Sequence, residues 1–171
     1  MKYIFILALT LTSIFAKLDN FKSIESDFVQ KITNDEKKTI VYEGKLYLRD
    51  DNKAFWQYTK PVQKQIFFNG NNVLMVEPEL EQVVITKLDS TPDIGRMLKE
   101  AKEIGVGKYI AKYKDTTYTI EASSSKINKI TYNDRLDNGV EIIFSNQNVN
   151  IILEDELFKA VIPKGYDIIS Q

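Results

Sequence analysis

Apolar residues recur at two different spacings along the chain, and each spacing predicts a different kind of element. Leu18, Phe21, Ile24 and Phe28 lie three or four residues apart, and the positions between them are mostly polar. This spacing is typical of an amphipathic helix with one apolar face. The segment from Leu18 to Phe28 is therefore predicted to be a helix.

From residue 39 onwards, short runs of β-branched and aromatic residues are separated by polar turns. The Asp-Asp-Asn-Lys sequence at 50–53 and the Asn-Gly-Asn-Asn sequence at 69–72 are typical of hairpin turns. The runs between such turns suit the pleated surface of a sheet and predict a meander of short antiparallel strands. The predicted strands cover residues 39–49, 54–59, 63–68, 73–76 and 82–88.

A second helix is predicted in the middle of the chain. Ser90, Thr91 and Pro92 combine capping hydroxyls with a proline in the first turn. Apolar residues follow at helical spacing at positions 94, 97, 98, 101 and 104, and Gly105 and Gly107 predict the end of the helix. A phosphate-binding loop would follow a strand instead, so this Gly-Val-Gly sequence is interpreted as a helix end.

Further strands are predicted at residues 112–122, 128–132, 140–144 and 148–153. A sheet of this size curves because strand twist accumulates, and the helices need a surface on which to bury their apolar faces. The predicted fold class is mainly β: a strongly curved antiparallel sheet that forms an open half-barrel, with short helices as a lid on its concave face.

The amino terminus has the pattern of a secretory signal peptide. Met1 and Lys2 precede an apolar stretch at 3–15 that ends at Ala16. This stretch is shorter than the ~20 apolar residues that span a bilayer as a helix. We therefore expect cleavage after residue 16 and a single domain over residues 17–171.

The composition excludes several classes of function. The chain has no cysteine and no histidine, which excludes disulfides, lipid attachment through cysteine, histidine-based catalysis and ordinary zinc sites. The formal net charge is −1 with the signs interspersed, which argues against a nucleic-acid partner. We expect an exported protein that is free in solution and needs no metal and no cofactor.

Alternating positions on the predicted strands suggest an apolar cavity. A period of two places Tyr42, Leu46 and Leu48 on one face of their strand. Taken singly, each such residue is better explained as ordinary core. Together, many large apolar side chains on a curved sheet with only two short helices predict an underfilled interior. The predicted cavity residues are Tyr42, Leu46, Leu48, Trp56, Tyr58, Ile66, Phe68, Leu74, Val76, Ile94, Met97 and Leu98.

Three groups of carboxylates, at 50–51, 77–81 and 154–156, offer an alternative function. Paired carboxylates can hydrolyse glycosides by acid and base catalysis. All three groups fall in hydrophilic, turn-like stretches, where solvated charges are the norm. We therefore disfavour a hydrolase and predict no catalytic residues.

Six short segments, spread over nearly all of the chain, follow one another in a specific order. They are Ser-Asp-Phe-Val-Gln at 26–30, Gly-Lys-Leu-Tyr-Leu-Arg at 44–49, Trp-Gln-Tyr-Thr-Lys-Pro at 56–61, Asn-Gly at 69–70, Glu-Leu-Glu-Gln-Val at 79–83 and Pro-Lys-Gly-Tyr-Asp at 163–167. In order and spacing they resemble the periplasmic outer-membrane lipoprotein carrier family, LolA.

This resemblance implies a non-enzymatic, monomeric periplasmic carrier with a half-open barrel and a helical lid. The cavity would accept the acyl chains of lipoproteins from an inner-membrane ABC transporter complex. The carrier would then deliver them to the outer membrane, where an acceptor lipoprotein is a further expected partner. An alternative from another class is a periplasmic sensor or interaction module of related fold that binds free lipid or a protein.

The chain departs from the family pattern before Trp56. The family's lid-latching arginine, which precedes a proline, falls on Asp50 and Asp51, so Arg49 is the candidate lid latch. The family's phenylalanine implicated in docking to the transporter is replaced by Ala54, with Phe55 next to it. Ala54 and Phe55 are therefore the candidate docking residues.

Overall fold

A computed structural model describes residues 21–87, 94–124 and 126–170. Twelve strands and one α-helix are found in these residues. The first six strands are β1 (Ser23–Thr33), β2 (Thr39–Arg49), β3 (Lys53–Lys60), β4 (Lys64–Asn69), β5 (Asn72–Glu77) and β6 (Gln82–Lys87). They are followed by α1 (Ile94–Glu100), β7 (Lys102–Gly105), β8 (Lys108–Tyr113), β9 (Thr116–Ser123), β10 (Lys126–Asn133), β11 (Gly139–Val149) and β12 (Asp167–Ser170).

All twelve strands belong to one sheet in the order β12-β6-β5-β4-β3-β2-β1-β11-β10-β9-β8-β7. Neighbouring strands are antiparallel, except that β12 pairs with β6 in parallel. The edge strands β7 and β12 do not pair with each other, so the sheet stays open. Strand β1 lies near the centre of the sheet. It joins a first meander, β2 to β6, to a second meander, β7 to β11.

The sheet is curved, and its inner face is the one that carries Phe28, Trp56 and Phe144. Three strand spacings separate β3 from β11, which is ~14 Å along a flat sheet. Nevertheless, the Trp56 and Phe144 ring centroids are 6.4 Å apart. Curvature brings the two rings together, and α1 buries Ile94 and Leu98 in the same cluster. The predicted mainly β fold with an open half-barrel is therefore confirmed.

The outer face carries a second, smaller apolar cluster. Phe55 and Phe67 stack there with ring centroids 4.4 Å apart. Phe158, which is 3% exposed, packs on them from the C-terminal segment, residues 150–166. A 3₁₀ turn at Asp155–Phe158 forms part of this segment. The first meander is therefore covered by one layer on each face: α1 on the inner face and the C-terminal segment on the outer face.

The predicted first helix is wrong for the described residues, because Ser23–Thr33 form strand β1. The side chains of Ile24, Ser26, Phe28 and Gln30 are all buried and alternate along one face. Ser26 and Gln30 are polar, so they were not counted as inward-facing positions. The remaining apolar residues are spaced as in a helix, which explains the wrong prediction. The Ser26 hydroxyl is satisfied by donating to the Ser145 carbonyl oxygen at 2.9 Å. Leu18 lies outside the described residues, as do residues 1–16.

The second predicted helix is shorter than expected. Residues 90–93 lie outside the described residues, and α1 ends at Glu100. Ile104 lies on strand β7 and is 59% exposed, so it does not belong to the apolar stripe of the helix. The interpretation of Gly105 and Gly107 as a helix end is also wrong. Gly105 ends β7 and Gly107 lies in the β7–β8 turn, where it has φ +67° and a Cβ atom would lie 2.6 Å from the Ala122 carbonyl oxygen.

The strand predictions are confirmed over most of the first meander, with β2 correct at both ends. Three differences occur later in the chain. The run at 112–122 is divided between β8 and β9 by a turn at 114–115. The runs at 140–144 and 148–153 contribute to one strand, Gly139–Val149, which ends before Asn150. The parallel strand β12 was not predicted.

Candidate functional site

A cavity of about 140 Å³ lies between the inner face of the sheet and α1. Its lining is almost entirely apolar or aromatic, which suits an apolar ligand. Six of the predicted cavity residues surround it: Trp56, Tyr58, Ile66, Phe68, Ile94 and Met97. The other lining residues are Gln30, Tyr118, Ile130, Tyr132 and Ile142. Both meanders and the helix therefore contribute to one cavity.

An aromatic cluster forms one wall of this cavity. Phe28 meets Trp56 and Tyr58 edge to face, with ring centroids 4.9 and 5.0 Å apart. Gly44 lies opposite Phe28 on β2, where a Cβ atom would come within 2.8 Å of the Phe28 ring and would also clash with the Gln57 carbonyl oxygen. The glycine therefore makes room for the ring that supports Trp56.

Three predicted cavity residues are part of the core beside the cavity and do not line it. Leu46, Leu48 and Leu98 are at most 1% exposed and belong to the inner cluster. Tyr42 has a different position, because it lines a second pocket at one end of the inner face. Its ring meets that of Tyr58 edge to face, with the centroids 5.9 Å apart.

The prediction that Leu74 and Val76 face the cavity is wrong, since both belong to the outer cluster. In the hairpin between β4 and β5, Phe68 pairs with Val73 and Phe67 pairs with Leu74. A pairing of even with odd numbers exchanges the faces of even-numbered and odd-numbered residues. The prediction instead continued the even numbers across the turn.

The second pocket has a volume of about 310 Å³ and a more polar lining. Lys64 and Glu77 form an ion pair there with an N–O distance of 3.0 Å. Gln82 also donates to the Glu77 carboxylate at 2.6 Å. Burial raises the pKa of Glu77, but the hydrogen bonds from Gln82 and Lys64 together bring it below its usual value. The lining residues are Gln30, Ile32, Tyr42, Tyr58, Val62, Lys64 and Glu77.

The prediction missed Gln30 and the four residues that β9, β10 and β11 contribute to the cavity. Ile130 and Tyr132 alternate along β10, and Ile142 follows the same pattern with Phe144 on β11. That alternation is visible in the sequence. The sequence does not show, however, that β9, β10 and β11 lie opposite the first meander. The pairing of β1 with β11 brings them there.

The ionisable groups of the cavity are tyrosines that stay neutral at ordinary pH. Burial raises the pKa of Tyr132 to about 12 and raises that of Tyr58 as well. The Tyr58 hydroxyl donates to Gln30 Oε1 at 2.9 Å. An uncharged lining of this kind favours binding of an apolar chain and offers no general base near neutral pH.

The carboxylates considered for hydrolysis do not form an acid and base pair. Two of the three predicted groups meet on the outer face, where Asp51 and Asp155 both contact Arg49 and Lys53. Hydrogen bonds from Lys53 and Arg49 lower the pKa of Asp155 to about 2, and Arg49 lowers that of Asp51. Both groups are therefore ionised and bound in ion pairs.

The same contacts correct the expectation that Arg49 latches the lid. Its guanidinium donates to the Leu153 carbonyl oxygen at 2.9 Å and lies 5.0 Å from the centre of the Phe158 ring. Because Arg49 is on the outer face, it binds the C-terminal segment and not α1. An odd position on β2 faces away from the helix.

The candidate docking residues are both buried. Ala54 is 2% exposed in the inner cluster, and Phe55 is 6% exposed between Tyr47 and Phe67. A docking residue has to be accessible to its partner. Neither side chain offers such a surface in this structure.

A different residue connects α1 to the sheet. The Lys99 ammonium donates to the Asp50 carbonyl oxygen at 2.6 Å. Asp50 lies in the β2–β3 turn. It is one of the two residues on which the family's lid-latching arginine falls. The charged group is on the helix, and the carbonyl group that accepts its hydrogen bond is in a turn between two strands.

We expect a Lys99→Met variant to take up an apolar ligand about threefold faster, because one charge-assisted but exposed hydrogen bond no longer holds α1 against the sheet. The apolar contacts of Ile94 and Met97 remain, so the melting temperature should be nearly unchanged. Stopped-flow fluorescence of Trp56 measures the uptake rate. The control is Lys126→Met on β10; equal rates in both variants and the parent chain would contradict a latch at Lys99.

A larger and more open groove of about 1060 Å³ adjoins the cavity at Tyr132, which lines both. Threonines and charged side chains dominate its lining, among them Thr117, Thr119, Lys31 and Glu141. Such a surface is solvated and gains little from contact with an apolar chain. The smaller apolar cavity is therefore the candidate site.

In the described part of the chain, α1 and the 3₁₀ turns are all too short to cross a bilayer, and no helix there qualifies as a membrane span.

Comparison with known proteins assigns the family. Residues 19–95 match the family model described as outer membrane lipoprotein carrier protein LolA. The chain is 38% identical to an outer-membrane lipoprotein carrier protein of Campylobacter jejuni over 88% of both chains. It is 32% identical to one of Wolinella succinogenes over 91% of both chains.

Solved structures with little sequence identity share the fold. A LolA superfamily protein from Nitrosomonas europaea has a TM-score of 0.54 at 11% identity, covering 84% of this chain and 94% of that one. An uncharacterized conserved protein from Thermus thermophilus has a TM-score of 0.55 at 9% identity, covering 90% and 93%. The sequence relatives and the shared architecture lead to one conclusion: the chain belongs to the LolA family of outer-membrane lipoprotein carrier proteins.

Proposed function

We propose that this protein is a non-enzymatic periplasmic carrier that shelters the acyl chains of lipoproteins in its inner-face cavity on their way to the outer membrane. The main observation is the apolar cavity between α1 and the half-barrel. Each methylene group removed from water contributes ~0.8 kcal/mol. An acyl chain in transit through water therefore gains much from such a cavity without any chemical step.

The volume of the cavity supports a lid function for α1. At about 140 Å³, it is smaller than the ~300–1,000 Å³ of pockets that enclose small ligands. Ile94 and Met97 of α1 line it opposite the sheet residues, among them Trp56 and Phe68. Moving the helix away would open the inner face for the acyl chains, so this structure corresponds to the closed carrier.

Export and partners complete the proposal. Residues 1–16 would direct export and be removed by cleavage. The carrier would receive its cargo from an inner-membrane ABC transporter complex and release it at the outer membrane, to an acceptor lipoprotein where one is present. The pattern of residues 1–16 supports export, the names of the relatives support a lipoprotein cargo bound for the outer membrane, and the family resemblance supports the transporter and the acceptor.

The experiment uses Trp56, which is the only tryptophan in the sequence and lines the cavity. A diacylated lipopeptide with bromine atoms on its acyl chains is titrated into the mature protein. Bromine quenches tryptophan on contact, so we expect saturable quenching. The same peptide without acyl chains should cause none. Absence of quenching, together with no retention of the lipopeptide on gel filtration, would overturn the proposal. Equal binding of brominated free fatty acid would favour a lipid sensor instead.

A further inference from the structure

Gln30 is a polar side chain on the otherwise mainly apolar inner face of β1. It is 8% exposed and follows Ile24 and Phe28 on the same face. Its Oε1 accepts a hydrogen bond from the Tyr58 hydroxyl at 2.9 Å. Within residues 21–87, 94–124 and 126–170, no acceptor contacts its amide nitrogen. A glutamine amide carries two N–H donors. The side chain therefore has donor capacity that the described protein groups do not use.

Gln30 also lies where the two pockets meet. It lines the apolar cavity together with Trp56 and Met97, and it lines the second, more polar pocket together with Lys64. Tyr58 is the other residue shared by both pockets. A ligand that occupies both pockets has to pass these two side chains. The hydrogen-bonded pair therefore marks the transition from an apolar lining to a more polar one, which includes the Lys64–Glu77 ion pair.

An acylated lipoprotein changes from apolar to polar in the same order along its length. Its apolar chains are joined through ester or amide carbonyl groups to a polar glyceryl-cysteine and a peptide. A carbonyl group that leaves water without meeting a donor is unfavourable. A free amide N–H at the transition would remove that penalty and would set the depth to which the chains enter.

We infer that Gln30 is a positioning subsite for the acyl carbonyl group, with the chains extending toward Trp56 and the polar part of the cargo toward the Lys64–Glu77 ion pair. This inference rests on the proposed carrier function. It adds a specificity determinant: the protein recognises the linkage of the acyl chain as well as its apolar length. Tyr58 holds the glutamine by donating to its oxygen, which leaves the nitrogen for the ligand.

The test compares a diacyl ester lipopeptide with the matched dialkyl ether lipopeptide, which has the same chains but no ester carbonyl groups. For the parent protein we expect the ester to bind about fivefold more tightly, as a single hydrogen bond provides. In Gln30→Met the two should bind equally. Ser26→Ala is the matched control, because Ser26 lies on the same face of β1, lines neither pocket and bonds to backbone carbonyls. It should keep the preference for the ester.

A second variant keeps the test decisive if Gln30→Met alone does not fold. Gln30→Met combined with Tyr58→Phe replaces both partners of the hydrogen bond with apolar groups, which leaves no unpaired hydroxyl. It should also bind ester and ether equally. An ester preference that persists in both variants, or is absent from the parent protein, would overturn the subsite while the carrier function stands. A parent protein that binds neither lipopeptide would overturn the carrier function and the subsite with it.

A phospholipid pair with ester or ether chains, measured in parallel, identifies the source of the carbonyl group. A preference confined to the lipopeptides assigns the subsite to lipoproteins. A preference in both pairs supports the subsite and extends it to any acyl ester.

Discussion

An Ile66→Asn variant is expected to bind acylated lipopeptide about 30-fold more weakly than the parent protein, because an amide in an apolar site without a hydrogen-bond partner costs ~2 kcal/mol. Ile66 lies on the inner face of β4 and lines the cavity beside Trp56. It is only partly buried, so the fold should tolerate the change. Quenching of Trp56 by the brominated lipopeptide measures the affinity.

The matched control is Ile143→Asn. Ile143 is 36% exposed, and its neighbour Ile142 lines the cavity from the opposite face of the same strand. The same chemical change on the outer face should leave the affinity unchanged. Equal losses in the two variants would indicate a general effect on folding and would contradict the assignment of the cavity to the inner face.

A Phe158→Ala variant is expected to lower the free energy of unfolding by about 3 kcal/mol, the lower end of the range for a buried phenylalanine. Phe158 is 3% exposed, packs against the outer cluster and lies under the Arg49 guanidinium. Its removal leaves a cavity and loosens the C-terminal segment from the sheet. Urea denaturation measures the loss of stability, and limited proteolysis should show earlier cleavage after residue 150.

Val161→Ala provides the control for this change. Val161 belongs to the same segment but is 81% exposed, so its truncation should change the unfolding free energy by no more than about 0.5 kcal/mol. A Phe158→Ala variant as stable as this control would show that the outer cluster does not depend on the C-terminal segment.

The sequence predicted elements well where the two faces of a strand differ in polarity. Strand β2 alternates between Leu46 or Leu48 inside and Lys45 or Arg49 outside, and its prediction is correct at both ends. In β1 the signal fails because Gln30 and Ser26 are polar and buried. Burial of those side chains depends on partners elsewhere in the chain, Tyr58 and the Ser145 carbonyl group, which no local pattern contains.

The residues of the candidate site were predicted to the correct face of the sheet where even-numbered residues pair with even-numbered residues across neighbouring strands. Even-numbered residues of β2, β3 and β4 share the inner face, so Trp56 and Ile66 were assigned correctly to that face. The two-residue turn at 70–71 exchanges the faces, which moves Leu74 to the outer cluster. The register of that turn follows from its length. The contribution of Tyr132, by contrast, requires the long-range pairing of β1 with β11.

The central position of β1 also has a consequence for how the chain folds. Each meander consists of hairpins that form between near neighbours in sequence, whereas within the sheet the two meanders join through the pairing of β1 with β11. The bond from the Lys22 amide to Asn150 Oδ1, at 2.7 Å, spans 128 residues. Closing so long a loop is slow compared with forming hairpins. We therefore expect the cavity, whose two walls come from opposite sides of this junction, to assemble last, and a fragment that ends before Gly139 lacks the wall residue Ile142.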